Sequence, residues 1–446
     1  MRKISLRHAL GSRDVSIATP VDDHDPPGAR EPALRLTDPA AGTSEQPAPL
    51  RFSLGRVAIV AAVLGAVINL LTPVDPHLNL DSRAFEAIAR SLLAGQGFVY
   101  REPLLHGLPF YAFRSPGYAV FLALGLWLGG VTAAVALQGA LQGVSAALVG
   151  DLAGRWAGTR PAWLAFALRF AWPAGWFHAG QLMSEGFFEF TTLLAVWLAV
   201  RTAERRGLRW AVAAGVMTGV AVLTRPVGLG CALAIAAWLC VRFPRGAAAL
   251  ALAALLTWLP WPLRNAQRLH AWVPFLTSGG VASWNTHSGN PPSVAWSYMA
   301  QHTDLGEVGL DRHFREAALE IIRSDPMEFV RRLGRGCIEY VGPIFYRGRE
   351  VWLHRFALLA LFPALFWADT RRRLVLPGLV WAGEGLFMLP IALHSRYRFP
   401  TEWCVIVAAA VGLDAAAGRW GTRRAGALAL GALLLCIAFT LAVARS

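Results

Sequence analysis

The sequence predicts an all-α polytopic membrane protein, and three observations predict it. Of 446 residues, 55% are hydrophobic and only 16% charged, with a mean hydropathy of +0.44. A water-soluble chain of this length needs more polar surface. The charges come in clusters separated by apolar runs of about 15–20 residues, the length a helix needs to cross the hydrocarbon core. Every second short connection between those runs is rich in arginine, as the positive-inside bias requires.

The first 50 residues are rich in Pro, Asp, Ala and Thr and lack hydrophobic periodicity, so they read as a disordered cytoplasmic tail. No apolar core lies near Met1, which argues against a signal peptide. Residues 51–446 then form the membrane domain. Spans are expected near 57–74, 131–152, 162–178, 185–200, 210–224, 227–241, 247–261, 351–367, 374–391, 402–417 and 425–443, about eleven helices. The apolar stretch 116–129 is shorter and opens with Ser115-Pro116-Gly117. A full span there would break the alternation of charged loops, so it reads as an interfacial or re-entrant helix.

The arginine-rich connections hold Arg155 and Arg160, then Arg201, Arg205, Arg206 and Arg209, then Arg242 and Arg245, then Arg371, Arg372 and Arg373, and finally Arg419, Arg423 and Arg424. If these face the cytoplasm, the N-terminus is cytoplasmic and the C-terminus external. Two long loops, about 75–130 and about 262–350, then lie outside, and loops of that length are uncommon unless functional. The second contains an amphipathic stretch, Arg312 to Tyr340, read as one helix with its apolar face on the membrane or on the first loop. Arg331, Arg332 and Arg335 near its end read equally well as a solvated or headgroup-facing surface.

The net charge is +14. Lys3 is the single lysine, so the positive charge is arginine, through base composition or because guanidinium forks bind phosphate bidentately. Loop placement explains many of these arginines, which argues against nucleic acid as a partner. The cysteines, Cys231, Cys240, Cys337, Cys404 and Cys436, show neither metal-ligand spacing nor a disulfide framework.

The candidate chemistry lies at helix ends on the external side. Asp81 follows the first span, just before the apolar-periodic run Phe85, Ile88, Ala89, Leu92, Leu93. It can cap that helix or act as a general base at the membrane surface. Glu185 and Glu189 share a helix face. Ionisable groups within spans are functional candidates by default. Arg169 falls at the depth of Glu189 in the hairpin 162–200, so Glu189 is expected to pair with it, which leaves Glu185 freer to face a cavity. Arg225, before Pro226 and Gly228, suits a lipid-linked phosphate or anchors the helix by snorkelling. Arg264, with Asn265, and the group His394, Arg396 and Arg398 are further external cations. Positive charge there runs against the positive-inside bias, and an anionic ligand explains it. No Gly-rich phosphate loop accompanies these residues, so a soluble nucleotide donor has no evident site.

Taken in order, these segments resemble the type C glycosyltransferases, polytopic enzymes that use polyprenyl-phosphate sugars. The nearest resemblance is to the bacterial branch related to protein mannosyltransferases and lipid A aminoarabinose transferases. Asp81 through Phe98 resembles the family's first-loop acid and its "IA…LL.G.GF" run. Arg114-Ser115-Pro116-Gly117-Tyr118 resembles "RPPGYPLF", Ser184-Glu185 resembles "SEP", and Leu223-Thr224-Arg225-Pro226 resembles "LTRP". Arg264-Asn265 with Thr277-Ser278-Gly279-Gly280 and Gly289-Asn290-Pro291 resembles "RN…STNGG…GNNP", and Arg396-Tyr397-Arg398-Phe399-Pro400 resembles "RYRLP". The resemblance covers about residues 57–415.

It implies an inverting transfer of a hexose or pentose on the external face of a bacterial inner membrane. Asp81 would be the base and Glu185 a second acid. Arg225, Arg396 and Arg398 would hold the donor phosphate, with Arg264 and His394 as further substrate-binding groups. Ser82 stands where many relatives have a second acid, and Gly186 stands where "SEP" has proline. No tightly bound metal is therefore expected, and a divalent cation is left open. The partners implied are a polyprenyl-phosphate-linked sugar, membrane lipid, and a glycan, lipid or protein acceptor. A transporter or flippase also explains buried charges, but transporters often show two matching halves, and this sequence has no convincing repeat. A catalytically silent scaffold is the third class.

The topology is checked by labelling from outside the cell. A cysteine placed at residue 300 should react and one at residue 20 should not. The reverse pattern would put the donor on the wrong side for this reading.

Overall fold

Apolar helices in this chain end where proline, glycine or a charge cluster stops them, and the breaks define the architecture. The computed structural model describes residues 52–72, 74–341, 351–389 and 397–445. The N-terminal 50 residues, His394 and Arg396 lie outside the described residues.

The membrane part begins with α1 (Leu54–Leu71). After the first loop follow α3 (Pro116–Ala157), α4 (Thr159–Phe170), α5 (Pro173–Gly180), α6 (Ser184–Arg205), α7 (Leu208–Thr224), α8 (Gly228–Arg242), α9 (Pro244–Trp258) and α10 (Pro260–Leu269). It resumes with α15 (Val351–Phe366), α16 (Ala368–Arg373), α17 (Val375–Met388), α18 (Glu402–Trp420) and α19 (Thr422–Arg445). The first loop carries α2 (Leu80–Leu93) and an antiparallel ribbon of β1 (Tyr100–Glu102) and β2 (Leu108–Phe110). The second carries α11 (Gly279–Ser288), α12 (Pro292–Gln301), α13 (Gly306–Ser324) and α14 (Pro326–Val341).

Six of these stretches are long and apolar enough to cross a membrane, and α7, α8, α15 and α17 are shorter apolar helices. The protein is a multi-pass, all-α membrane protein. The expected span 162–178 is two helices, because Pro173 cannot continue the ladder and pushes Trp172 into extended backbone. The expected single helix Arg312–Tyr340 is likewise two, α13 and α14, broken at Asp325-Pro326. Within α3 the backbone leaves helical geometry at Gly129 and Gly130, with φ +71° at Gly130. A Cβ on Gly125 would lie 2.7 Å from the Ala134 Cα. Residues nine apart in a straight helix are about 13 Å apart, so the chain folds back here and 116–128 is a helix of its own.

The packing follows the physics of helices in lipid, where small residues allow close approach and polar side chains bond across helices. A Cβ on Gly143 of α3 would collide with the Ala61 carbonyl of α1, and Gly65 and Gly139 face each other in the same way. Asn69 at the end of α1 donates to the carbonyls of Val135 (2.7 Å) and Ala179 (2.8 Å). The outer faces of α1 and α19 expose apolar side chains such as Ile59, Leu71, Leu428 and Leu435, whereas α6 and α18 are mostly buried.

The central charge is a pair that the sequence anticipates. Arg169 of α4 is 1% exposed and Glu189 of α6 is 0% exposed. The Arg169 Nε donates to Glu189 Oε1 at 2.7 Å, and its Nη2 donates to both Glu189 Oε2 and Gln142 Oε1. Removing one partner from such a pair leaves a charge buried with no counter-ion, which costs about 3–5 kcal/mol. Arg169→Met alone should therefore lower the thermal unfolding midpoint of the detergent-solubilised protein sharply. The double variant Arg169→Met, Glu189→Leu should recover most of the loss, and equal destabilisation by both would show that the pair is not the organising contact.

Candidate active site

One end of the bundle carries both long loops, and their hydrogen bonds hold them together. Glu307 of α13 accepts from the backbone N–H groups of Tyr111 (2.6 Å) and Ala112 (2.8 Å) and from the Thr277 hydroxyl (2.5 Å). Burial lifts its carboxyl above the usual carboxylate range, against the pull of those donors and of Arg264. The Thr277 N–H donates to the Ala112 carbonyl at 2.9 Å. Behind this seam Leu310 and Phe314 pack with Phe110, Phe113 and Tyr118. The apolar face of α13 thus lies on the first loop, one of the two positions the sequence allows.

Several of the motif segments also meet one another. The start of α2 is tied to the connection before α6. Asn79 donates to Gln181 Oε1, and the Leu182 N–H donates to the Pro76 carbonyl at 3.0 Å. The start of α2, which carries Asp81 in its first turn, thus lies against the connection that leads into Ser184 and Glu185. The Arg114 segment reaches the same place. Gly117 packs so tightly on the end of α7 that an added Cβ would lie 2.9 Å from the Thr224 nitrogen. The Tyr118 hydroxyl donates to Gln138 Oε1 (2.7 Å), and Gln138 Nε2 in turn donates to the carbonyls of Ala179 (2.7 Å) and Gln181 (2.9 Å).

Two acid–arginine pairs result. Asp81 Oδ1 accepts from Arg114 Nη2 at 2.5 Å, with both side chains about a quarter exposed. The Arg114 guanidinium also lies over the Phe113 ring, 4.9 Å from its centroid. Asp81 is not the helix cap: Asn79 holds that position, and Asp81 is the second helical residue. Glu185 Oε1 lies 3.1 Å from Arg225 Nη1, which also donates to the Ser184 hydroxyl at 3.1 Å. Arg225 closes α7 in extended backbone ahead of Pro226, and its guanidinium is 5.1 Å from the Tyr397 ring centroid. Glu185 is fully buried. It faces the Arg225 guanidinium.

The remaining candidates take structural positions. Arg264 donates to the carbonyls of Tyr111 (2.5 Å) and Phe98 (2.8 Å) and so clamps the first loop. Arg398 is buried; its Nε and Nη2 each lie 3.2 Å from Glu402 Oε1, and its Nη1 donates to the Glu339 carbonyl at 2.9 Å. Glu402 also accepts from the Trp172 indole and lies 3.4 Å from His354 Nδ1. Arg331, Arg332 and Arg335 all engage Glu328 on their own helix. No local pattern in the sequence points from Asp81 to Arg114, 33 residues away. The spacing of Glu402, four residues after Arg398, is the one signal for that pair.

No protein-family model matches the sequence, and no curated protein matches it. Solved structures do. The Archaeoglobus fulgidus oligosaccharyltransferase in complex with zinc and sulfate aligns over 87% of this chain and 53% of its own, at 13% identity and a TM-score of 0.55. The same organism's oligosaccharyltransferase AglB, bound to an inhibitory peptide and a dolichol-phosphate, aligns over 87% of this chain and 55% of its own, at 13% identity and a TM-score of 0.52. ArnT from Cupriavidus metallidurans bound to undecaprenyl phosphate covers 81% of this chain and 76% of its own, at 16% identity, but its TM-score of 0.38 is too low to establish a shared fold. The chain spans about half the length of the oligosaccharyltransferases it matches. At these identities the likeness concerns architecture alone: the chain shares the fold of the Archaeoglobus fulgidus oligosaccharyltransferases.

Proposed function

We propose that the protein is a membrane glycosyltransferase. It transfers a sugar, a hexose or a pentose, from a polyprenyl-phosphate donor to an acceptor at the outer face of a bacterial inner membrane. The observation that carries this reading is the presence of two acid–arginine pairs, Asp81 with Arg114 and Glu185 with Arg225, on segments that meet where Gly117 packs against Thr224. One of the matched AglB structures contains a dolichol-phosphate, a ligand of the class proposed here.

In this reading the acceptor hydroxyl gives its proton to the Asp81 carboxylate as its oxygen bonds to the sugar's anomeric carbon. The bond from that carbon to the phosphate oxygen breaks, and its electron pair leaves with the polyprenyl phosphate. Charge therefore grows on the phosphate as the reaction proceeds. Arg225, 14% exposed at its side chain, is the cation assigned to meet it. Fixed donors aimed at developing charge are usually the largest catalytic term. Glu185 holds Arg225 in place from behind.

Arg225→Lys separates the two tasks of that residue. A lysine keeps a cation beside Glu185 and should preserve folding. It cannot grip phosphate with a fork, so losing a charge-assisted bond should weaken donor binding about tenfold or more. Normal donor affinity in the lysine variant would assign Arg225 to Glu185 alone.

Asp81→Asn tests the base. Asparagine keeps the size and still accepts from Arg114, but it cannot take a proton. The variant should insert and bind donor, yet lose about 10²–10⁴-fold in turnover. The assay is transfer from a radiolabelled polyprenyl-phosphate sugar by purified protein. Near-normal turnover would remove Asp81 from the mechanism and leave Glu185 as the acid to examine.

A further inference from the structure

A zinc ion accompanies one of the structures with this fold, so the acids of the site invite a comparison with metal ligands. They do not fit. Both carry a guanidinium already: Arg114 sits 2.5 Å from Asp81, and Arg225 sits 3.1 Å from Glu185. The residue after Asp81 is Ser82, a hydroxyl with no charge to offer. The nearest further carboxylate on α2, Glu86, is engaged by His77 and Arg90. Among the described residues no three His, Cys, Asp or Glu side chains group as a metal site. Divalent cations of the hard class need several oxygen ligands, usually including more than one carboxylate or a set of waters.

We infer that Arg114 is the resident cation of this site: it holds the Asp81 carboxylate in position for the acceptor, and the transfer proceeds without a divalent metal. This rests on the reading of Asp81 as the base. The supporting geometry is independent of it. Arg114 lies one residue before the Ser115-Pro116 start of α3, and Gly117 fixes that start against α7. Its guanidinium lies 4.9 Å from the Phe113 ring centroid and 6.0 Å from that of Phe85. A guanidinium held this way has few other places to go. Its buried Nε–H has no hydrogen-bond partner among the described residues, while Nη2 keeps Asp81. A planar fork does this without the exchange of ligands that a metal requires. Arg114 is thus a positioning residue, acting on the acceptor through Asp81.

The test uses the full-length protein in detergent, with two readouts. The first is transfer, measured with EDTA and again with added Mn²⁺ or Mg²⁺. Wild-type turnover should be unchanged by either treatment. Arg114→Gln should lower turnover by about 10²-fold, the scale of a misplaced reacting group, with the donor KM nearly unaltered. Arg114→Lys should recover part of the loss. The second readout is Mn²⁺ paramagnetic resonance, which needs no activity. Wild-type protein should leave the Mn²⁺ signal that of the free ion. Bound Mn²⁺ that disappears in Asp81→Asn would overturn the inference, as would EDTA-sensitive transfer restored by metal. If no polyprenyl-phosphate sugar is transferred under any condition, the proposed function fails, and the Mn²⁺ measurement still decides whether Arg114 or a metal partners Asp81.

Discussion

Lipid offers no partner to a charge, so every ionised group carried into the helix bundle must bring its own. The Arg169–Glu189 pair is where this constraint bears hardest. Both side chains are essentially inaccessible, and each uses its full fork geometry on the other, with Gln142 taking a further N–H. The pair fixes α4 against α6, and α6 begins with Ser184 and Glu185. The registry of one buried ion pair therefore sets where the candidate acid stands, about one helical turn above it.

The same logic orders the rest of the site from two directions. From below, Gln138 and Asn69 converge on the carbonyls around residue 179, so the break between α5 and α6 is held by side chains of α1 and α3. From above, Glu307 and Arg264 each bond to backbone groups of the first loop near Tyr111. Arg114 lies three residues beyond Tyr111. Its position is thus determined by the second loop as well as the first, and so is that of Asp81. Residues that touch no ligand in the proposed reaction decide the geometry of those that do.

Periodicity and charge alternation made most of the membrane helices legible, because lipid-facing runs have a length set by the bilayer and breaks set by arginine clusters. The failures came where a proline lay inside an otherwise suitable pattern. Pro173 and Pro326 each split an expected helix, and hydropathy carries no signal for that. The Arg169–Glu189 pair was readable because a hairpin converts sequence distance into depth. The partners of Asp81 and Glu185 were not, since Arg114 and Arg225 reach them across tertiary contacts separated by 33 residues and by the span of two helices. The carbonyl partners of Arg264, Tyr111 and Phe98, are equally out of reach of local pattern, because they lie on the first loop.

The pairing also determines how the site meets an anion. An arginine left alone at the membrane boundary would draw in any headgroup phosphate by charge alone. Arg225 and Arg114 are each offset by a carboxylate, so the resting pairs carry little net charge. Selectivity must then come from geometry: a ligand has to present oxygens to the guanidinium N–H groups that the acid leaves open, without displacing it. In the proposed reaction the acids would keep the forks oriented before the ligand arrives, and at the more buried Arg225–Glu185 pair such contacts would be stronger than in water. A site built in this way responds less to the charge of its ligand than to where new charge appears during the reaction, which is the property that distinguishes a catalyst from a binding surface.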